Sequence, residues 1–170
     1  MSLTLIGGGA RSGKSRQALT LARQCGSRLA FVATARAEDD EMRDRIARHQ
    51  EERGKEFTTF EEPIAIATLL YGEGQRFDAV IVDCLTLWLS NLLCSGAASI
   101  EDECRRLVDA AARVPARVLL VTNEVGCGIV PENALARQFR DLAGTLNQMA
   151  AQAADEVYWM VFGIPMKVKG

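Results

Sequence analysis

Gly8-Gly9-Ala10-Arg11-Ser12-Gly13-Lys14-Ser15 follows directly after the apolar run Leu3-Thr4-Leu5-Ile6, and this arrangement decides the fold. The octapeptide matches the pattern G-x-x-x-x-G-K-[ST], which occurs where a buried strand turns through a glycine-rich loop into a helix. Its glycines allow backbone N–H groups to approach phosphate oxygens more closely than a Cβ would permit. The segment therefore predicts a P-loop and a bound nucleoside triphosphate.

Each residue type in this loop has a chemical task. Lys14 would reach the β- and γ-phosphates as a flexible point charge, and Ser15 would place a hydroxyl on Mg²⁺. The helix that starts there would direct its positive end toward the same anion. A glycine-rich turn without a ligand is the alternative, and the position between a strand and a helix argues against it. We predict nucleotide contacts from the whole loop: Gly8, Gly9, Ala10, Arg11, Ser12, Gly13, Lys14 and Ser15.

The composition is that of one globular domain spanning residues 1–170, with 48% hydrophobic residues and a net charge of −2. The 20 basic and 22 acidic residues give no broad electropositive surface, so we expect no nucleic-acid partner. No window approaches about 18 unbroken apolar residues, and no basic, apolar leader precedes the first strand. We therefore expect a cytoplasmic protein without a membrane span.

The cysteines and tryptophans are expected in the core. The five cysteines form no C-x-x-C pair and lie mostly in apolar segments, which indicates reduced, buried thiols. A Cys/His zinc site of ordinary spacing is hard to build because the chain contains one histidine. We expect Trp88 and Trp159 to pack internally rather than to stack on a ligand.

Short β-rich runs alternate with longer helical ones, the order typical of a mostly parallel sheet flanked by helices. The fold class is therefore predicted as α/β. The predicted strands are Leu3–Ile6, Leu29–Ala33, Ala79–Val82, Val118–Val121 and Val157–Val161, with a further short strand near Met166–Val168. The predicted helices are Lys14–Cys25, Glu41–Arg53, Ile64–Leu70, Leu85–Leu93, Glu101–Arg113 and Asn133–Ala153.

Acidic residues follow two of the predicted strands. Asp83 comes directly after Val80-Ile81-Val82, at the edge where open α/β sheets bind ligands, and would hold Mg²⁺ or one of its waters beside a P-loop. Capping of the next helix is the alternative role for Asp83. Glu124 follows the strand that ends at Val121. Glu124 would serve as a second acid near the metal or as a general base, and a structural role is equally open.

His49 is the only imidazole in the chain and lies within a charged segment, Asp39–Arg53. On a helix, Arg45, His49 and Arg53 would form one basic stripe suited to gripping a triphosphate. A neutral imidazole can also attack phosphorus and form a phosphoramidate. The same segment contains i,i+4 ion pairs such as Asp44–Arg48, which are typical of an exposed helix, so the residues alone leave a structural role open.

Four blocks of the sequence together resemble the bifunctional adenosylcobinamide kinase/adenosylcobinamide-phosphate guanylyltransferase family. They are GGARSGKS at Gly8–Ser15, DDEM at Asp39–Met42 followed by His49, DCLTLWLSNLL at Asp83–Leu93, and NEVGCGIVPENALARQFRDLAGTLNQ at Asn123–Gln148. No block beyond the P-loop is decisive alone. Four blocks in the family's order with matching separations are specific, and the likeness runs nearly end to end.

The resemblance implies two reactions. The first is phosphorylation of adenosylcobinamide by ATP or GTP, and the second is transfer of GMP from GTP to adenosylcobinamide phosphate with release of pyrophosphate. The family's covalent GMP–histidine intermediate maps onto His49, so His49 and Lys14 are the implied catalytic residues. The alternatives are a P-loop kinase of another small metabolite and a nucleotide-dependent regulatory module.

The same resemblance implies further contacts and an assembly. The fold would be a RecA-like P-loop domain, and the chain would form a homotrimer with the site shared between subunits. The implied cofactors are GTP, ATP and Mg²⁺, with the metal at Ser15 and Asp83, and the implied partners are adenosylcobinamide and its phosphate. Glu62 remains an alternative to Glu61. The implied nucleotide contacts beyond the P-loop are Ala33, Thr34, Ala35, Gln50, Glu51, Glu52, Arg53, Glu61 and Asp83.

Overall fold

A computed structural model of the protein describes residues 2–35 and 53–170. The strands within these ranges are β1 (Ser2–Gly8), β2 (Leu29–Ala33), β3 (Phe57–Glu61), β4 (Ala79–Asp83), β5 (Arg117–Val121), β6 (Glu156–Val161) and β7 (Ile164–Lys169). They form one sheet in the order β3-β2-β4-β5-β1-β6-β7. Neighbouring strands are parallel except β6 and β7, which form an antiparallel hairpin.

Successive side chains of a strand point to opposite faces of the sheet, and in the central strands the side chains on both faces are apolar. Helices therefore cover both faces of this sheet. The helix α1 (Lys14–Arg23) shares a core with Phe31 and Ile81 on one face. Val80 and Val82 point to the other face and pack against four helices. These are α2 (Ile66–Glu73), α3 (Leu85–Ser95), α4 (Ile100–Arg113) and α5 (Ala134–Ala153). Within the described ranges, no helix is long and apolar enough to cross a membrane.

Local signals in the sequence set the ends of three helices. Ser99 accepts a hydrogen bond from the backbone N–H of Asp102 at the start of α4, and Asn133 does the same for Ala136 at the start of α5. These are the N-terminal caps that hydroxyl and amide side chains favour. Gly96 ends α3 with φ of 68°, a conformation that costs glycine little.

The predicted α/β fold is confirmed, and each predicted strand is present. One strand, β3, was missed by the sequence analysis. It lies at the edge of the sheet with Thr58 and Thr59 exposed, so its apolar pattern is interrupted although threonine and phenylalanine favour strands. The predicted helix Glu41–Arg53 lies outside the described residues except for Arg53.

Trp88 lies in the core as predicted, with only 1% of its surface exposed and its indole N–H donating to the carbonyl of Ile64 at 2.8 Å. The indole hydrogen bond removes the cost of burying a polar atom. Trp159 is half-buried and packs beside Gly7, so its expected burial holds only in part.

All five cysteines are free thiols, but they are not all buried. Cys84 and Cys104 are buried, and burial raises the pKa of each thiol to about 11, so both stay protonated at neutral pH. Cys25 is half-buried. Cys94 and Cys127 are exposed, which corrects the expectation of mostly buried thiols: Cys94 lies in the last turn of α3, and Cys127 lies in the loop after β5.

Glu156 ties three strands together at the half-buried start of β6. Its carboxylate accepts from Lys167 of β7 at 2.7 Å and pairs with Arg117 of β5, which also donates to Thr4 of β1. Lys167 first, and Arg117 with it, hold the pKa of Glu156 below its usual value despite some burial. The ion-pair cluster therefore fastens the terminal hairpin to the parallel sheet.

We predict that Glu156→Gln destabilises the fold at pH 7 by about 1 kcal/mol, because the amide cannot pair with both cations. A carboxyl whose folded pKa is lowered stabilises the fold above its unfolded pKa and loses that contribution as pH falls through the folded pKa. The melting temperatures of wild type and variant should therefore converge as the pH falls through the lowered folded pKa of Glu156. Glu101→Gln, at an exposed pair with Arg105, is the matched control and should change little. A difference that persists at low pH would contradict the electrostatic account.

Candidate active site

The P-loop continues from the carboxyl end of β1 and needs glycine at two positions. Gly8 has φ of 150°, and a Cβ there would lie 2.8 Å from the Ser12 hydroxyl and 2.9 Å from the carbonyl of Met160. Gly13 has φ of 93°, in the region that L side chains rarely adopt. Both motif glycines are thus required by the backbone itself, as the sequence pattern indicates.

Lys14 begins α1 and brings its ammonium group back over the loop. The residue is buried, and its Nζ donates to the carbonyl of Gly9 and lies 3.4 Å from Ser12 Oγ. No side chain caps the helix at Gly13, and no acidic residue stands in its first turn. The positive end of the helix dipole and the ammonium therefore act at the same place, which favours a bound anion.

The ends of three parallel strands carry the other described candidates. Ala33 of β2 is the register partner of Glu61 on β3 and of Asp83 on β4. The two acidic residues therefore flank Ala33 in one row at the carboxyl edge of the sheet. Asp83 also pairs with Val121 of β5, which pairs with Ile6 of β1. One strand thus separates Asp83 from β1, a distance of about 10 Å.

Arg53 places a buried positive charge near these acids. Its guanidinium carbon lies 4.0 Å from the centroid of the Phe31 ring, and only 3% of the residue is exposed. Burial lowers the pKa of Arg53, and the carboxylates of Asp83 and Glu61 oppose that shift. An arginine stays protonated under such conditions, so a fixed cation stands beside the acidic row. Arg23 holds the Arg53 carbonyl from the other side at 3.2 Å.

Ser15 and Asp83 fit a magnesium site that is completed by a nucleotide. Both are half-buried and supply the oxygen donors that Mg²⁺ prefers. Residues 2–35 and 53–170 contain no cluster of three or more metal-binding side chains. That agrees with Mg²⁺ chemistry at P-loops, where one or two protein oxygens act together with phosphates and water.

The structure separates the roles of Glu61 and Glu62. Glu62 Oε1 accepts from the backbone N–H groups of Ile64 at 2.9 Å and Ala65 at 2.8 Å, immediately before α2. The sequence predicted that this helix begins at Ile64, but α2 begins at Ile66. These bonds explain the difference. Glu61 is exposed and acts on the charge of Arg53. Glu62 is thus engaged with the backbone, and Glu61 stays the predicted nucleotide contact.

Sequence reasoning missed the side chains that hold this edge together. Asn91 of α3 donates to the carbonyls of Thr34 at 2.8 Å and Pro63 at 3.1 Å. Thr86 accepts from the backbone N–H of Asn123 at 2.8 Å. The available signal was a polar residue in an otherwise apolar helix, since such residues usually bond to main chain when they face the interior.

The described candidates gather at one edge, and the remaining ones cannot be placed. The P-loop, Ala33–Ala35, Glu61 and Asp83 lie at the carboxyl ends of the strands, and the Arg53 guanidinium, packed on Phe31 of β2, acts on the two acids from within the fold. This is the edge at which open α/β sheets bind ligands. His49, Gln50, Glu51 and Glu52 lie outside the described residues. All of these site assignments remain predictions.

Comparisons of the sequence identify close relatives. A family model described as "Cobinamide kinase / cobinamide phosphate guanyltransferase" matches residues 4–168. The chain is 44% identical to the "Bifunctional adenosylcobalamin biosynthesis protein CobP" of Pseudomonas aeruginosa over 98% of this chain and 96% of the relative. It is 42% identical to the corresponding protein CobU of Salmonella typhimurium, over 98% and 99% of the two chains.

Solved structures with the same architecture are distant in sequence. The RadB recombinase aligns with a TM-score of 0.55 at 18% identity, covering 93% of this chain and 73% of that one. A type III secretion system ATPase aligns with a TM-score of 0.59 at 12% identity, covering 98% and 56%. These likenesses confirm the RecA-like P-loop fold.

We predict that Glu61→Ala changes GTP affinity, whereas Glu62→Ala changes stability. Glu61→Ala should weaken GTP binding by about tenfold and leave the melting temperature near that of wild type, because it removes the predicted nucleotide contact and no backbone bond. Glu62→Ala should lower stability by about 1 kcal/mol through loss of its two backbone bonds, with GTP affinity unchanged. Calorimetric titration and thermal melting measure both quantities. Loss of GTP affinity in Glu62→Ala alone would reverse the assignment.

Proposed function

The chain belongs to the cobinamide kinase / cobinamide phosphate guanyltransferase family and is a bifunctional kinase and guanylyltransferase, and we propose that one nucleotide site serves both reactions. The observation that carries this proposal is the strand register, which aligns Glu61 and Asp83 with Ala33 at the same sheet edge as the P-loop. Arg53 adds a buried cation near both acids. The substrates are adenosylcobinamide and its phosphate, with ATP or GTP in the first reaction and GTP in the second.

In the kinase reaction, a hydroxyl of adenosylcobinamide attacks the γ-phosphorus. A new O–P bond forms as the bond between the γ-phosphorus and the β-bridging oxygen breaks, and the hydroxyl proton passes to solvent or a base. Lys14 and the first N–H groups of α1 stabilise the charge that develops on the phosphate oxygens. Ser15 and Asp83 would hold Mg²⁺ together with the nucleotide, and the cation would supply further neutralisation of this charge.

In the guanylyltransferase reaction, His49 is the nucleophile. Neutral imidazole attacks the α-phosphorus of GTP, an N–P bond forms, and pyrophosphate leaves with the electron pair of the broken P–O bond. The phosphate of adenosylcobinamide phosphate then attacks the same phosphorus and releases the imidazole. Lys14 stabilises the departing pyrophosphate, so the P-loop acts in both reactions.

The position of Arg53 supports this role for His49. The two are four positions apart along the chain, and a fully extended segment of that length spans no more than about 14 Å. Arg53 itself lies against Phe31 near Asp83. The length of the chain between them is therefore compatible with attack by His49 on a nucleotide at the proposed site.

We also propose a homotrimeric cytoplasmic enzyme in which residues 1–170 form one catalytic domain. The support for assembly is an exposed apolar surface on the terminal hairpin. Phe162 at its turn is 97% exposed, and three alternate residues of β7 are more than half exposed: Ile164, Met166 and Val168. The support for one domain is that the seven described strands form one sheet. The five free thiols agree with a reducing compartment.

We predict that Lys14→Ala abolishes both activities while the protein stays folded. The substitution removes the ammonium that stabilises transferring phosphate in each reaction, and a loss of about a hundredfold or more in kcat is expected. Separate assays of the two half-reactions, together with thermal melting, test this. Guanylyl transfer at the wild-type rate would require a second nucleotide site and would contradict the shared site.

We predict that His49→Ala separates the two activities. Guanylylation needs a nucleophile and phosphoryl transfer to the cobinamide hydroxyl does not, so the variant should keep kinase activity and form no covalent enzyme–GMP. Wild-type enzyme incubated with GTP labelled at the α-phosphate should gain label that is lost in acid and retained in base, as a phosphoramidate requires. Mass spectrometry of the digested protein locates the modified residue.

The outcomes of the His49 experiment are distinct. GMP found on lysine, or undiminished labelling of His49→Ala, would contradict the assignment. Loss of both activities in a folded variant would show that His49 supports nucleotide binding in general. Lys14→Ala is the matched control, because it should lose label through failure to hold GTP while its imidazole is intact.

A further inference from the structure

We propose that Thr34, held in place by Asn91, is a positioning residue that orients the Asp83 carboxylate for its metal. The inference rests on the proposed function in one respect, the role of Asp83 toward Mg²⁺. It assigns the Thr34 side chain a task other than direct contact with the nucleotide.

The Thr34 hydroxyl is committed to the main chain that follows Asp83. Oγ1 donates to the carbonyl of Cys84 at 2.9 Å and accepts from the N–H of Cys84 at 2.8 Å. The residue is completely buried. Its backbone N–H donates to the carbonyl of Asp83 at 3.2 Å, so Thr34 binds both residues at the end of β4.

Asn91 fixes Thr34 from the helix layer. Its side-chain amide donates to the carbonyl of Thr34 at 2.8 Å and to that of Pro63 at 3.1 Å. Pro63 follows the end of β3, so one amide joins the chain after β2 to the chain after β3. Each polar group of Thr34 therefore already has a partner within the protein, which leaves its neighbours Ala33 and Ala35 to face a ligand.

The hydrogen bonds of Thr34 and Asn91 lie just beyond the end of β4, where the ladder of the sheet no longer fixes the backbone. Asp83 is the last residue of β4, and α3 begins two residues later at Leu85. The ladder of the parallel sheet fixes the chain up to Asp83, and the Thr34 hydroxyl fixes the next peptide group. A carboxylate can favour one metal geometry only if its own backbone is held on both sides, as partners behind metal ligands do in general.

The test measures metal binding directly with Mn²⁺ as the probe. Thr34→Val keeps the shape and removes the hydroxyl, and Thr34→Ser keeps the hydroxyl. In Thr34→Val, the apparent Kd for Mn²⁺ in the presence of GTP, measured by electron paramagnetic resonance, should rise about tenfold or more. Binding of GTP in EDTA should weaken far less than Mn²⁺ binding, and Thr34→Ser should restore most of the Mn²⁺ affinity. Hydrogen exchange at the Cys84 amide should accelerate in Thr34→Val alone.

Three further variants make the result decisive. Thr4→Val removes another fully buried hydroxyl from the same sheet, one bonded to Arg117, and should leave Mn²⁺ binding unchanged. Asn91→Leu should weaken Mn²⁺ binding in the same direction as Thr34→Val and supplies the test if Thr34→Val does not fold. Asp83→Asn should show the largest loss.

The metal role of Asp83 and the positioning role of Thr34 are tested by different outcomes. Wild-type Mn²⁺ affinity in Asp83→Asn would overturn the metal role of Asp83 and with it part of the proposed function. A large loss in Asp83→Asn with wild-type affinity in folded Thr34→Val or Asn91→Leu would overturn the positioning role alone. Equal weakening of GTP binding with and without metal in Thr34→Val would also overturn it, since general disruption has that signature.

Discussion

The hydrogen-bond register of the parallel sheet is the constraint on which the candidate site depends. Because β2, β3 and β4 run in the same direction and in matched register, Glu61, Ala33 and Asp83 end in one row. The P-loop leaves β1 at the same edge, one strand away from β4. A shift of one residue in any of these strands would turn its terminal side chain to the opposite face and dissolve the row.

Charge balance at this edge gives the row its chemical character. Two carboxylates stand near a buried guanidinium, and that guanidinium rests on an aromatic ring, which keeps a cation in place where water is scarce. The P-loop, which lies across β5 from Asp83, adds an ammonium and a helix N-terminus. Acids on one side and donors on the other suit a triphosphate with its metal, because the metal needs oxygen ligands and the phosphates need N–H groups.

The comparisons separate what belongs to the fold from what belongs to the enzyme. The recombinase and the secretion ATPase share the fold at 18% and 12% identity. The relatives at 42–44% identity, matched over nearly the full length, carry the names of the cobalamin-forming enzyme. Architecture of this kind therefore requires little more than buried strands and a P-loop, and the particular chemistry depends on the side chains added at the carboxyl edge.

The sequence by itself determined the α/β fold, the P-loop with its two required glycines, Asp83 at a strand end, and the family, because these depend on local pattern and on spacing along the chain. It did not reveal β3, whose exposed threonines break the apolar pattern, nor the hydrogen bonds that Glu62 accepts from the backbone before α2. The cation of Arg53 against Phe31 and the bonds from Thr34 and Asn91 also came only from the tertiary structure. These features join residues 22 to 57 positions apart, and no local pattern encodes contacts that only the packing of α3 and the pairing of strands create.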